Sequence, residues 1–246
     1  MAKVWQQPSD YQISTMTIVS SIKGEPNLNY NLNEIYTNLK LEPQGIQTIT
    51  FMGNVRTLIQ SSKKKKAAKK IFPNQASFVI LVKNGKTVNL KLFSNGKVQI
   101  TGCQNIIDAD YAVKYLLDSM RKSDLKNQGN GLSDKIGFPK TTNDNVVLIN
   151  SNYTIHSRLN LYKLSSLLDN EWKVKKNPII IKNSFDPCNY PGIILKYLHN
   201  NTHTVSIFIF STGNINITGA KTTDQLDGAY TYVNKFIKDN FDSVGF

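Results

Sequence analysis

The stretch FSNGKVQITG, Phe93–Gly102, returns 117 residues later as FSTGNINITG, Phe210–Gly219. Six of the ten positions are identical, and the register then continues without a gap. Asp110 meets Asp227, Ala112 meets Ala229 and Tyr115 meets Tyr232. Self-similarity held at one fixed offset is the mark of a duplicated unit, and it comes before any other guess about fold.

The local signals repeat with the letters. SNG and STG are turn sequences, because Gly96 and Gly213 can adopt positive φ without a steric penalty. Alternating strand patterns flank each turn: VNLKLF before and KVQIT after the first, VSIFIF and NINIT around the second. A further strand precedes each pair, SFVILV up to the hairpin dipeptide Asn84-Gly85 and GIILKYL up to HNNTH. Helical spacing follows, with Ala112, Val113, Leu116 and Met120 on one apolar stripe and Leu226, Ala229, Tyr230, Val233, Phe236 and Ile237 on the other. Upstream, STMTIVSSI leads to a helix striped by Leu32, Ile35, Tyr36 and Leu39, and NVVLINS to one striped by Leu161, Leu164 and Leu168. Each half therefore reads strand, helix, three antiparallel strands, helix, an α+β arrangement. The expected boundaries are residues 1–121 for the first repeat, a polar linker over 122–143 and residues 144–246 for the second.

Composition narrows the function. The 246 residues carry 30 Lys and Arg against 17 Asp and Glu, a net charge of +13 concentrated in the first half. Such a surface attracts polyanions. The run KKKKAAKK, Lys63–Lys70, reads as a solvated loop, a nuclear-import signal or a phosphate tether. The longest apolar runs are far too short to cross a bilayer, and the N-terminus lacks the apolar core of a signal peptide. Two cysteines make neither a disulfide framework nor a metal cluster, so an intracellular setting is expected. Enzyme chemistry finds no support, and no cofactor or metal is expected. His199 and His203 are spaced for a metal only on a helix, and HNNTH reads as a turn between strands. Cys103 reads as a small core residue.

Strand residues alternate faces. Phe93 shares a face with Lys91 and, across the turn, with Thr101; Phe210 shares one with Phe208 and Thr218. A face mixing Phe, Thr, Gln and Asn suits a partner that is both polar and stackable. The bland alternative places these phenylalanines in the helix-covered core.

The duplicated F-S-x-G-x-x-x-x-T-G turn, together with FDPCNYPGIILKY (Phe185–Tyr197), resembles the TATA-binding protein family across nearly the whole chain. The extra segment from about Glu42 to Lys70 is similar to the diverged versions carried by large DNA viruses. The resemblance implies a saddle: two pseudo-symmetric repeats sharing one curved antiparallel sheet, with helices on the convex side. It implies a concave face seated in the DNA minor groove, where aromatic wedges unstack base steps and bend the duplex, a mode for which this family is itself the reference case.

Carried over residue by residue, the wedge positions are Phe93 and Phe210 before the turns, and Tyr190, three residues after Pro187. In the first repeat the count from Pro73 lands on Ala76, with Phe78 expected to stand in. Phe208, Thr101 and Thr218 fit the family's DNA face. Lys91, Gln99 and Asn216 put polar groups where the family has apolar ones, which implies an asymmetric or relaxed preference. Val19 and Val147 come from the first strands. Thr17 sits at one central asparagine position, and Val147 or Asn145 at the other. Lys196 is the base that closes the FDPCNYPGIILKY segment. The docking loop for transcription factor IIB would comprise Asp186, Cys188 and Asn189. The implied partners are A·T-rich promoter DNA, a transcription factor IIB-like protein and RNA polymerase, in a host nucleus or a cytoplasmic viral replication site. A protein-interaction scaffold, or a nonspecific DNA binder that has lost TATA recognition, is the alternative.

Overall fold

The computed structural model describes residues 4–22, 29–59, 72–123 and 146–246. The Lys63–Lys70 run, Asn145 and the expected linker beyond Ser123 lie outside these residues.

The chain forms two compact units, Met16–Val147 and a second that joins Met1–Thr15 to Leu148–Phe246. The first contains α1 (Leu32–Asn38), β2 (Ile46–Phe51), β3 (Asn54–Thr57), β4 (Gln75–Leu81), β5 (Thr87–Phe93), β6 (Lys97–Cys103), α2 (Ile106–Lys122) and most of β1 (Gln12–Ser21). Its strands are ordered β3-β2-β4-β5-β6-β1, and each neighbouring pair is antiparallel. The other unit contains most of β7 (Val146–Thr154), α3 (Leu161–Asp169) with a π-helical turn at Asn170–Val174, β8 (Ile180–Ser184), β9 (Gly192–His199), β10 (His203–Phe210), β11 (Asn214–Ala220), α4 (Thr223–Asp239) and α5 (Phe241–Val244). Its order is β7-β11-β10-β9-β8, again antiparallel.

Each half has more strands than the sequence reading assigns. β2 pairs with β4 and β8 pairs with β9, so both repeats carry a strand between the first helix and the first hairpin strand. β8, IIKNS, is short and half polar, which hides its alternation. β2 lies inside the segment from Glu42 to Lys70, so the first part of that segment is a regular sheet strand and the addition peculiar to the first repeat begins with β3.

The helices cover one face of each sheet. α2 packs on β5 and β6, and α4 on β9, β10 and β11. Their predicted stripes are buried: Ala112, Leu116 and Met120 in one, Leu226, Ala229 and Ile237 in the other, all at 0% exposure. α1, α2, α3 and α4 each open on a side-chain cap. Asn31, Asn105, Asn160 and Thr222 accept from the backbone N–H three residues on, which satisfies donors that a helix start leaves orphaned. Thr222→Ala is expected to lower the stability of its unit by about 1 kcal/mol, measurable as a fall in denaturant midpoint at unchanged slope.

Two turns fix the hairpins. Gly96 and Gly213 hold φ of 77° and 86°, and a Cβ on Gly213 would run into the carbonyl of Ser157. The HNNTH turn is built differently, with Asn200 and Asn201 at φ of 45° and 56°, the left-handed pair that a two-residue hairpin demands. Residues 4–15 follow the second repeat. Ser9 N–H donates to the Thr154 carbonyl at 2.9 Å, Tyr230 Oη donates to the Ser9 carbonyl at 3.1 Å, and Trp5 meets Phe241 edge-on at 5.2 Å.

Candidate nucleic-acid interface

Strand alternation leaves the other face of each sheet uncovered. In β5 the residues Val88, Leu90 and Leu92 are buried while Asn89, Lys91 and Phe93 are half-buried; in β10 Ile207 and Ile209 are buried while Phe208 and Phe210 are not. The aromatic positions thus stand on the side away from the helices, and the core placement of these rings is excluded.

In the unit carrying the second repeat, three rings gather on this open face. Tyr190 lies 5.9 Å from Phe208 and 5.9 Å from Phe210, tilted at 70° and 57°. Edge-on contacts of this kind hold aromatic groups in a defined arrangement. The loop Phe185–Tyr190 aims the third ring. Asp186 accepts from Cys188 N–H at 3.1 Å and from Asn189 Nδ2 at 2.6 Å, and its carbonyl accepts from Tyr190 N–H at 2.8 Å. The acidic residue is therefore spent on shaping its own loop, while Cys188 and Asn189 are exposed. Phe185 anchors the loop base against Tyr162, with centroids 5.2 Å apart.

Polar ladders run beside the rings. Asn150, Thr218, Ser206, Lys196 and Lys182 form one row of direct cross-strand partners. Lys196 Nζ donates to Ser206 Oγ at 2.6 Å, and Thr218 Oγ1 donates to Asn150 Oδ1. Like charges set directly opposite repel, so the Lys182–Lys196 pair favours an anion between or above its ammonium groups. Asn152, Asn216, Phe208 and Ile194 form the next row.

The Met16–Val147 unit repeats this geometry with different side chains. Thr17 faces Thr101, and Val19 faces Gln99, which in turn faces Lys91. Lys91 thus occupies the place of Phe208. Phe93 pairs with Gln75 as Phe210 pairs with Gly192. Two residues further out, Pro73 stands where the other unit has Tyr190, and the neighbouring ring is Phe72, 47% exposed.

The structure corrects two expected contacts, Phe78 and Val147. Phe78 is fully buried, paired with Leu90 on one side and Ile49 on the other, and cannot replace a wedge. Ala76 is likewise at 0% exposure; β4 turns Gln75, Ser77 and Val79 to the open face. Val147 is exposed, but the register gives the positions matching Thr17 and Val19 to Asn150 and Asn152. Asn150, Asn152 and Lys182 belong to the face and were not read from sequence. The 117-residue offset, carried upstream from Phe93, reaches Pro73 and its neighbour Phe72. TIVSS in β1 and NSNYT in β7 share no identities, so nothing marked the asparagines.

The remaining reactive groups are engaged elsewhere. Burial pushes the Cys103 thiol up to about 11, which keeps it protonated. His199 Nε2 lies 2.8 Å from Asp224 Oδ2, and His203 Nε2 lies 2.7 Å from the Gly219 carbonyl.

The model of the family described as transcription factor TFIID (or TATA-binding protein, TBP) matches residues 45–123 and 145–240, and the first of these ranges includes β2. A TATA-box-binding protein-like protein of Acanthamoeba polyphaga mimivirus is 27% identical over 74% of the chain. The chain spans about half, 52%, of that relative's length. The TATA-box-binding protein of Sulfolobus acidocaldarius is 26% identical over 70% of the chain and 71% of its own length. Methanococcus jannaschii TBP superposes with a TM-score of 0.59 at 18% identity, covering 94% of the chain and 99% of its own, so the α+β fold expected from the duplicated turn is the fold the two share.

Proposed function

Because the chain belongs to the TATA-binding protein family, we propose that it is a non-enzymatic transcription initiation factor that lays its open sheet faces on the minor groove of promoter DNA and bends it. The observation that carries this reading is the cluster of Tyr190, Phe208 and Phe210 standing on an otherwise polar, uncovered face. Apolar rings kept out of a core at a cost in burial need a ligand that they can enter. Base steps are such a ligand, since wedging a ring between them is offset by the contact that the bent duplex gains.

The remaining parts fit the same task. A net charge of +13 supplies attraction to phosphates without reading sequence. Lys91 on one face and the Lys182–Lys196 pair on the other are placed for such contacts. The Phe185–Tyr190 loop and the helices on the covered side would meet the transcription machinery: a transcription factor IIB-like protein and, through it, RNA polymerase. Cys188 and Asn189 offer that partner a small thiol and an amide where the family presents a carboxylate and a leucine, which calls for a dedicated partner. Such a protein works wherever its template lies, in a host nucleus or a cytoplasmic replication site.

The test is binding to short A·T-rich duplexes across a salt series. The logarithm of affinity should fall linearly with the logarithm of salt concentration, and replacing Lys91 or Lys196 by Ala should each lower the slope by about 1. Absence of binding at low salt would remove the reading and leave the protein-interaction scaffold.

A further inference from the structure

Asn152 in β7 and Asn216 in β11 are direct cross-strand partners, and both are exposed on the open face. With Asn150, Thr218, Tyr190 and Phe208 they line a recess of about 390 Å³ in that face. The Oδ1 of Asn150 is already engaged by the Thr218 hydroxyl. Among the described residues, neither Asn152 nor Asn216 has a side-chain hydrogen-bond partner, and no bond joins the two.

Two amide oxygens therefore meet any ligand as unsatisfied acceptors. Covering an acceptor without supplying a donor is costly. In the minor groove an A·T or T·A pair offers acceptors alone, whereas G·C adds one donor, the exocyclic N2 amino group of guanine. That amino group projects from the groove floor. A flat apolar sheet would meet it as a clash; here a recess lined by two rings and by these amides receives it. The amide nitrogens remain free to donate to the ordinary acceptors of the same or the adjoining pair.

We propose that Asn152 and Asn216 read a guanine amino group, so that the half of the binding site under the second repeat contains a G·C pair at a fixed position. This rests on the minor-groove reading above and adds a specificity to it. The matching positions of the other unit, Val19 and Gln99, offer one apolar group and one amide. The two halves of the site are thereby distinguishable, and the protein binds in one orientation.

The experiment selects sites for the full chain from a pool of random duplexes, then replaces each guanine of a selected site by inosine in turn. Inosine lacks the N2 amino group and leaves the rest of the minor-groove edge unchanged. One position should lose about tenfold in affinity on this exchange. The double variant Asn152→Val, Asn216→Val should be indifferent to the exchange, binding the guanine and the inosine duplex with equal affinity. Valine suits both exposed strand positions, and the inosine series on the unaltered protein stands without the variant. Inosine accepted at every position, or selected sites without G·C, overturns this inference and leaves minor-groove binding in place. Failure to bind any duplex at low salt overturns both.

Discussion

Phe210→Ala is expected to abolish bending of a promoter duplex, read as loss of fluorescence transfer between dyes at its two ends, while residual binding persists. Phe210 sits at the end of β10 with its ring on the open face, half-buried and packed on Tyr190. Truncating it removes the ring that enters the stack and also releases Tyr190 from one of its two ring contacts. Loss of a buried Phe contact is worth about 1.5–3 kcal/mol, or on the order of 10- to 100-fold in affinity. The phosphate contacts are untouched, so the salt slope should stay close to that of the parent. Phe93→Ala provides the comparison. Its open-face neighbours in register are Gln75 and Lys91, not rings, so its loss should reduce bending by less. Fluorescence transfer unchanged in Phe210→Ala would show that the cluster does not enter the duplex. Because the ring lies outside the core, thermal unfolding should move little.

The difference between the two wedges shows which parts of this protein could be read from its letters. Features encoded by local chemistry were legible. The glycine turns at Gly96 and Gly213, the Asn200-Asn201 hairpin, the alternation in β5, β6, β10 and β11 and the stripes of α2 and α4 each carry their own physical cause in sequence. The placement of Phe93 and Phe210 opposite the helices followed from alternation once the sheet was granted. Features that depend on pairing between distant strands were not legible. Counting three residues from Pro73 reaches Ala76, but β4 pairs Gln75 with Phe93, which fixes Ala76 and Phe78 on the helix side. Where the period is two, a shift of a single residue exchanges core and surface. The asparagines of β7 escaped for a related reason. A register irregularity lies between Met16 and Thr17 where β1 meets β6, and another between Thr218 and Ala220 where β11 meets β7. The irregularity is common to both repeats, and Asn150 matches Thr17 because their partners Thr218 and Thr101 match, at an offset in the first strands that no shared residue reports. β8 was missed because an edge strand needs only one apolar face, and Ile180 and Asn183 are its buried residues.

The core assignment of Phe78 makes the sharpest demand on stability. Phe78→Ala should cost about 3–5 kcal/mol, the range for emptying a fully buried phenylalanine site in a packed interior. Phe78 is at 0% exposure in a strand flanked on both sides, with Ile49 and Leu90 opposite it and α2 packed on the adjoining β5. Rigid strands on either side limit how far the site can collapse, which places the cost toward the upper part of that range. A domain holds about 5–15 kcal/mol in total, so the Met16–Val147 unit would be left marginal at 37 °C. Chemical denaturation followed by far-ultraviolet dichroism should show an early transition for this unit, with the transition of the second repeat unmoved. Near 4 °C, where the variant is still folded, its affinity for duplex should match the parent's. A wedge residue would show the reverse, with stability kept and affinity lost, and that result would return Phe78 to the open face.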